Sequence, residues 1–521
     1  MNRRRFLRAA GTSGLALATL PAVVDSFTVR ALAAGDGGLE RLLAASDRIL
    51  ILIQLQGGND GLNTVVPYAD PLYYERRPNI AIPAAQTLRI DDTLGWHPSL
   101  SGFDDLYKDG KLALVQGVTY PNPDRSHFRG TDIWLTATDA DVFGSTGWVG
   151  RYLQTLAPGY PQELPPHPLA VQIGTSLSLG LLGGNGPMGI SFRDPDEFYR
   201  LVNTGATDEV PAAPPSDTPA GREVSFMRSI ARSADVYARV VKDTADRGNI
   251  GTTFPTTDIG AKLRVVSQLI AGGLQSRVYL VSWANNNFDT HADQGGVTGN
   301  HARLLRELGD AVSALMAEMK RQGLQEKVAG MTFSEFGRRV AENGSQGTDH
   351  GTAAPLFVFG HYVAGGKVFG RNPDLQNLDE RGDLLMQYDY RHVYASVLLQ
   401  YFGESQTTAQ NVLLRDFSQQ ALPLFHVPVS VQEAGQGIHC GFRSVSPNPA
   451  STTVQVRVDC EPFADVGLRI SDMQGRFVRA VPVDAWSGIA TFDVQGMNPG
   501  TYLLTLHADR ATMHTFLTVS R

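Results

Sequence analysis

Cysteine is nearly absent: the 521 residues hold two, Cys440 and Cys460. A metal site built on several thiolates is therefore excluded. In an oxidising compartment the pair can form one disulfide; two separate buried thiols are the alternative, and both stay open. Basic clusters are lacking too. Net charge is −7, and no run of Lys and Arg follows the first eight residues. That excludes nucleic acid as a main partner, because phosphate backbones are held by clustered cations. Past the N-terminus no stretch reaches the about 20 apolar residues a bilayer requires, so no transmembrane segment is expected in the mature chain. What is present is globular in character. Hydrophobic residues make up 42% and charged residues 19% of the chain, and its length suits two or three domains.

The N-terminus opens with Arg3, Arg4, Arg5, Phe6, Leu7 and Arg8. A mildly apolar run rich in Ala, Gly and Thr follows from Ala9 to Val24, and Ala31-Leu32-Ala33 offers a small-x-small cleavage site. Residues 1–34 resemble a twin-arginine signal peptide. The resemblance implies export machinery as a partner and a mature chain in the periplasm or beyond.

Residues 48–55 form a continuous apolar run, as do 112–118, 277–283, 328–333 and 356–359. Short β-branched runs of this kind fit strands buried on both faces. Over 300–322, Leu304, Leu305, Leu308, Val312, Leu315, Met316 and Met319 recur at helical spacing. Residues 205–221 are rich in Pro, Ala, Thr and Asp and read as a surface loop before a helical insertion near 222–275. Strands alternating with helices over 45–425 predict an α/β domain, a largely parallel sheet flanked by helices. From 440 to 521 the pattern changes to short alternating strands separated by turns, such as Thr453–Val458, Leu468–Ser471 and Tyr502–Leu506. That pattern predicts a small antiparallel β-sandwich.

Polar clusters follow the strand ends, the edge where sites collect in open α/β sheets. Asn59-Asp60 sits in a glycine-rich turn: Asp60 can ligate a cation, or the pair can serve an ordinary turn. Ser126 lies where a helix begins, between Arg125 and Arg129. It can act as a hydroxyl nucleophile beside two oxyanion-binding guanidiniums, or simply cap the helix. Asp289-Thr290-His291 places two ligand types in one loop. Ser334-Glu335 and Asp349-His350 follow and precede further strands. Taken together, Asp60, Asp289, His291, Glu335 and His350 point to a divalent-metal site.

The runs Gln56–Tyr68, Asp124–Phe128, Phe288–His291, Thr332–Arg338 and Gly347–Gly351 resemble the bacterial domain-of-unknown-function 1501 family, across residues 45–405. That family is similar to a distant branch of the alkaline phosphatase and sulfatase superfamily. The resemblance implies Asp60, Asp289, His291 and His350 as metal ligands and Ser126 as nucleophile. Glu335 stands where the superfamily carries a His. An oxygen-rich set of this kind suits Ca²⁺ or Mg²⁺ as well as Zn²⁺. The expected activity is hydrolysis of phosphate or sulfate esters, with a small anionic ester or polysaccharide-type substrate. A non-catalytic cell-surface binding protein on the same fold is the alternative. Ser446–Ala450, Asp472–Arg476 and Pro499–Tyr502 resemble the C-terminal sorting domain of type IX secretion, which implies delivery to the cell surface or the medium.

Overall fold

The computed structural model describes residues 23–24, 27–28, 47–204, 218–283, 287–426, 440–460, 466–472, 476–484, 489–508 and 511–520. The signal-peptide expectation and most of the 205–221 loop lie outside the described residues. The chain divides into two compact units, 1–427 and 428–521.

The first unit is built on a nine-stranded sheet. In chain order its strands are β1 (Ile49–Leu55), β2 (Leu112–Thr119), β3 (Ala170–Ile173), β4 (Ile190–Phe192), β5 (Val278–Trp283), β6 (Val328–Phe333), β7 (Ala354–Gly360), β8 (Lys367–Phe369) and β9 (Tyr388–Asp389). Their spatial order is β4-β3-β5-β1-β6-β7-β2-β8, with β9 also beside β2. Every pairing is parallel except the two made by β7, which runs against β6 and β2. The sheet is thus largely parallel, as the alternation of elements predicts.

Strand pleating sends neighbouring side chains to opposite faces. In β1, Ile49, Ile51, Ile53 and Leu55 join one core, while Leu50 and Leu52 join the other. This is why the run is apolar at nearly every position. On the first face the helices are α2 (Ser101–Lys108), α4 (Pro219–Arg247), α5 (Asp258–Ala271) and α6 (Asn300–Arg321). The seven apolar residues of α6 read from its spacing are all buried; each contributes about 1.5–3 kcal/mol on leaving water. The second face is covered by α3 (His127–Thr136) and α7 (Tyr390–Ser396), among others. A one-turn helix, α1 (Gly61–Thr64), follows β1.

Among the described residues the second unit holds seven antiparallel strands in two sheets. Three are β10 (Cys440–Ser446), β11 (Thr453–Cys460) and β14 (Ile489–Asp493); four are β12 (Val466–Asp472), β13 (Phe477–Pro482), β15 (Gly500–Ala508) and β16 (Ala511–Val519). Val454, Val456, Leu468, Ile470, Leu504 and Leu517 share its core. Cys440 and Cys460 are register partners across β10 and β11; their side chains lie outside the described residues.

Candidate metal centre

The segments after β1, β2, β5 and β6 meet at one edge of the sheet. Because β7 is antiparallel, the loop entering it arrives there too. Arg338 ties these segments together. Its guanidinium is buried and donates to the carbonyls of Gly57, Gly58 (2.8 Å), Phe288 (3.1 Å) and Thr348 (2.6 Å), and to Asp289 Oδ1 (2.7 Å). Gly58 takes φ +83°, and a Cβ there would lie 2.4 Å from the Phe336 ring. Glycine is therefore required at this crossing.

At this edge His127, Asp289 and His350 offer ligand atoms that all lie within 4.8 Å of one another. His291 adjoins them, its Nε2 2.9 Å from His350 Nε2 and 3.1 Å from Asp289 Oδ1. His350 Nε2 is 3.3 Å from Asp289 Oδ1, and His127 Nε2 is 3.4 Å from Asp289 Oδ2. The far side of each ring has its own acceptor. His350 Nδ1 donates to the Arg125 carbonyl at 2.8 Å, His127 Nδ1 to Glu335 Oε1 at 2.8 Å, and His291 Nδ1 to Asp349 Oδ1 at 3.2 Å. A carbonyl or carboxylate can only accept, so a neutral ring bonded through Nδ1 leaves a lone pair on Nε2, whereas a protonated ring donates from both nitrogens, Nε2 facing Asp289. Three Nε2 atoms thus converge on one carboxylate. His127 Nε2 is buried with no hydrogen-bond partner.

Electrostatics follow the same arrangement. Burial alone would raise the Asp289 carboxyl, but Arg338 holds it below the ordinary value. The hydrogen bond that His127 donates to Glu335 raises the His127 pKa, whereas burial lowers that of His350. Glu335 is fully buried; its Oε1 also accepts from the Gly57 N–H at 2.8 Å.

The structure places the expected site residues in different surroundings. Asp289, His291 and His350 come together. Glu335 stands behind His127, on the opposite side of that ring from the cluster. Asp60 lies in a separate buried network. Its Oδ2 pairs with Arg77 Nη1 at 2.6 Å and accepts from Gln294 Nε2 at 2.5 Å, and neither ion-pair side chain is exposed. Arg77 is in turn held by Asn63 and by the carbonyls of Arg339 and Val340. Ser126 is the N-cap of α3 and accepts from the Arg129 N–H at 3.5 Å. Arg125 pairs with Asp383 and Asp379, and Arg129 donates to the carbonyls of Ala140 and Val142 and lies 4.1 Å over the Phe143 ring. Both guanidiniums are therefore engaged within the fold. The residue that sequence reading passed over is His127. It stood between the singled-out Ser126 and Arg129, and a third His at the end of the polar loop after a strand was its signal.

Residues 253–406 match the family described as "Protein of unknown function (DUF1501)". The match is confined to that segment. It carries Asp289, His291, Glu335 and His350, and it begins at 253, well inside the wider 45–405 span of the resemblance. Residues 444–520 match the secretion system C-terminal sorting domain, so the chain carries a sorting module of exported proteins. No curated protein matches the chain. Among solved structures, a sulfatase from Pseudoalteromonas sp. overlaps at 12% identity and TM-score 0.32, across 91% of this chain and 89% of that one. A putative sulfatase from Bacteroides fragilis overlaps at 10% identity and TM-score 0.29, across 87% and 90%. Overlaps this loose say nothing of function. No helix among the described residues is long and apolar enough to cross a membrane.

Proposed function

We propose that this protein is an exported, metal-dependent hydrolase of phosphate or sulfate esters, with the cation held by His127, Asp289, His291 and His350. The observation that carries the reading is the convergence of three imidazole Nε2 atoms on the Asp289 carboxylate. Two bare Nε2 atoms 2.9 Å apart, those of His291 and His350, repel unless a cation or proton lies between them. Three nitrogens with one carboxylate form a donor set for Zn²⁺ or another first-row divalent ion rather than for Ca²⁺ or Mg²⁺. Such a cation, when bound, polarises an ester oxygen and acidifies a neighbouring hydroxyl or water.

The chain's own residues orient the site. Glu335, the Arg125 carbonyl and Asp349 each fix one ring through Nδ1, as partners behind metal-ligating histidines do. Arg338 fixes Asp289. Ser126 immediately precedes His127 at the start of α3 and is the candidate nucleophile. With their guanidiniums already bound, Arg125 and Arg129 serve to position loops. Export begins at the twin-arginine segment and ends, through the sorting tail, at the cell surface or in the medium.

The engagement of both arginines favours a second reading, a surface protein that binds metal or ligand without catalysis. Metal content and turnover of an aryl phosphate and an aryl sulfate separate the two. The hydrolase reading expects about one metal per chain and a fall of at least about 100-fold in Ser126→Ala. Bound metal with no ester turned over leaves the binding reading; a metal-free protein inactive after zinc or manganese addition sinks the hydrolase.

A further inference from the structure

Thr290 lies between two of the proposed ligands, Asp289 and His291, and Thr348 lies two residues before a third, His350. Both threonines are buried, and both hydroxyls donate to one atom, Gln294 Oε1, at 2.9 and 2.7 Å. Gln294 is 0% exposed, and its Nε2 donates to Asp60 Oδ2 at 2.5 Å. The partners leave this amide one orientation. Burial alone would raise the Asp60 carboxyl, but Arg77, 2.6 Å away, holds it below the ordinary value, so Asp60 is a carboxylate and can only accept. The amide nitrogen must face it, and the amide oxygen must face the threonines. That oxygen has two lone pairs, and the two hydroxyls fill both. A charge-assisted chain thus runs from Arg77 through Asp60 and Gln294 to one hydroxyl in each of two loops.

The main chains of the two loops meet alongside. The Thr348 N–H donates to the Thr290 carbonyl at 3.0 Å, the Gln294 N–H to the Gln346 carbonyl at 3.1 Å and the Asp293 N–H to the Ser345 carbonyl at 3.0 Å. Gly347 permits the approach, since a Cβ there would lie 2.3 Å from the His291 carbonyl carbon. At its other end the network reaches a third segment. Arg77 donates to the carbonyls of Arg339 and Val340, both at 2.8 Å, next to Arg338, which holds Asp289.

The loops so joined come from distant strands. Asp289 and His291 follow β5 and His350 precedes β7, three places away in the order β5-β1-β6-β7. A ligand set drawn from two such loops is only as exact as the spacing between them, and an error of about 1 Å is enough to spoil a site. We infer that Gln294 is the positioning residue that sets this spacing, while hydrogen-bonding to none of the proposed ligands. The cation rests on the hydrolase reading; the spacing of the loops does not.

Gln294→Met tests it in the full chain, replacing the amide by an apolar side chain of similar length. Gly102→Ala supplies a destabilised control, because its Cβ crowds Ser313 of α6 and touches neither loop. In chelator competition with cobalt(II), Gln294→Met should lose at least about tenfold in affinity, and the visible band of its bound cobalt should shift or weaken. Gly102→Ala should keep both. Thr348→Val should follow Gln294→Met, and Thr348→Ser, which keeps the hydroxyl, should follow the wild type. Hydrogen exchange on metal-free protein reads the loops directly. Segments 287–294 and 343–350 should exchange at least about tenfold faster in Gln294→Met and at the wild-type rate in Gly102→Ala. Unchanged cobalt affinity and spectrum, an equal loss in Gly102→Ala, or unaltered exchange in the two loops overturns the inference. A wild-type chain that binds neither cobalt nor zinc sinks the metal reading alone if the exchange difference is present, and both if it is absent.

Discussion

Asp60 and Asp289 are both carboxylates in loops that follow strands, yet their neighbours divide their roles. Asp289 faces three imidazoles and is partly open; Asp60 is sealed against Arg77. Removing one partner of a buried pair strands the other charge, so Asp60→Asn should cost about 3–5 kcal/mol in urea denaturation while metal content is unchanged. Loss of metal at unchanged stability would return Asp60 to the ligand set. Glu335 tests the opposite arrangement. It touches no cluster atom except through His127, so Glu335→Gln should weaken metal affinity by about 10–100-fold in chelator competition; unchanged affinity would deny it that orienting role. A third residue predicts pH dependence. His301 is fully buried, bonded to Asn59 Oδ1 at 3.0 Å, and burial lowers it to about 3. The unfolded chain takes up this proton near pH 6.5, the folded one only near 3. Between those values unfolding binds a proton, so this contribution is complete above about 6.5 and is lost as pH falls toward about 3. Urea midpoints measured from about pH 7 down to about pH 4 should fall less steeply in His301→Gln than in the wild type; parallel slopes would show that other groups govern the acid limb.

At the scale of elements, packing is close where helices cross. A Cβ on Gly102 of α2 would lie 2.6 Å from the Gly309 carbonyl and 2.4 Å from Ser313 Oγ of α6. Gly102→Ala should therefore cost about 1–3 kcal/mol by overpacking, measured as a shift in urea midpoint; a neutral result would mean that the two helices part freely. The same elements show what a sequence reveals. β1, β2, β5, β6 and β7 announced themselves as apolar runs because both faces are buried, and α6 by its stripe. β3, β4, β8 and β9 did not, since two to four residues give no period to read. Nor did any local signal mark β7 as antiparallel. That follows from the β6–β7 link, which holds no helix to carry the chain back across a face. The reversal brings His350 to the edge where Asp289 and His291 lie. Those three residues were legible from composition near strand ends. Arg77 and Arg338 were not, because a buried guanidinium is chosen by partners distant in sequence: Asp60 for one, four loop carbonyls for the other.

The whole molecule joins a chemical unit to an address. Residues 1–427 and 428–521 form separate compact units with separate cores. All four proposed ligands lie in the first, and the sorting match, 444–520, lies in the second. A domain with its own core can in principle fold by itself. Ending the chain after Val427 should then leave the first unit's urea midpoint and metal content unchanged while abolishing passage across the outer membrane. Fractionation of a host that runs this secretion route would find the truncated protein retained in the periplasm with its metal bound, and the full chain at the surface or in the medium. Metal loss on truncation would mean that the tail completes the site. Surface delivery of the truncated chain would mean that the sorting signal lies elsewhere, and the tail would then need another role, such as adhesion.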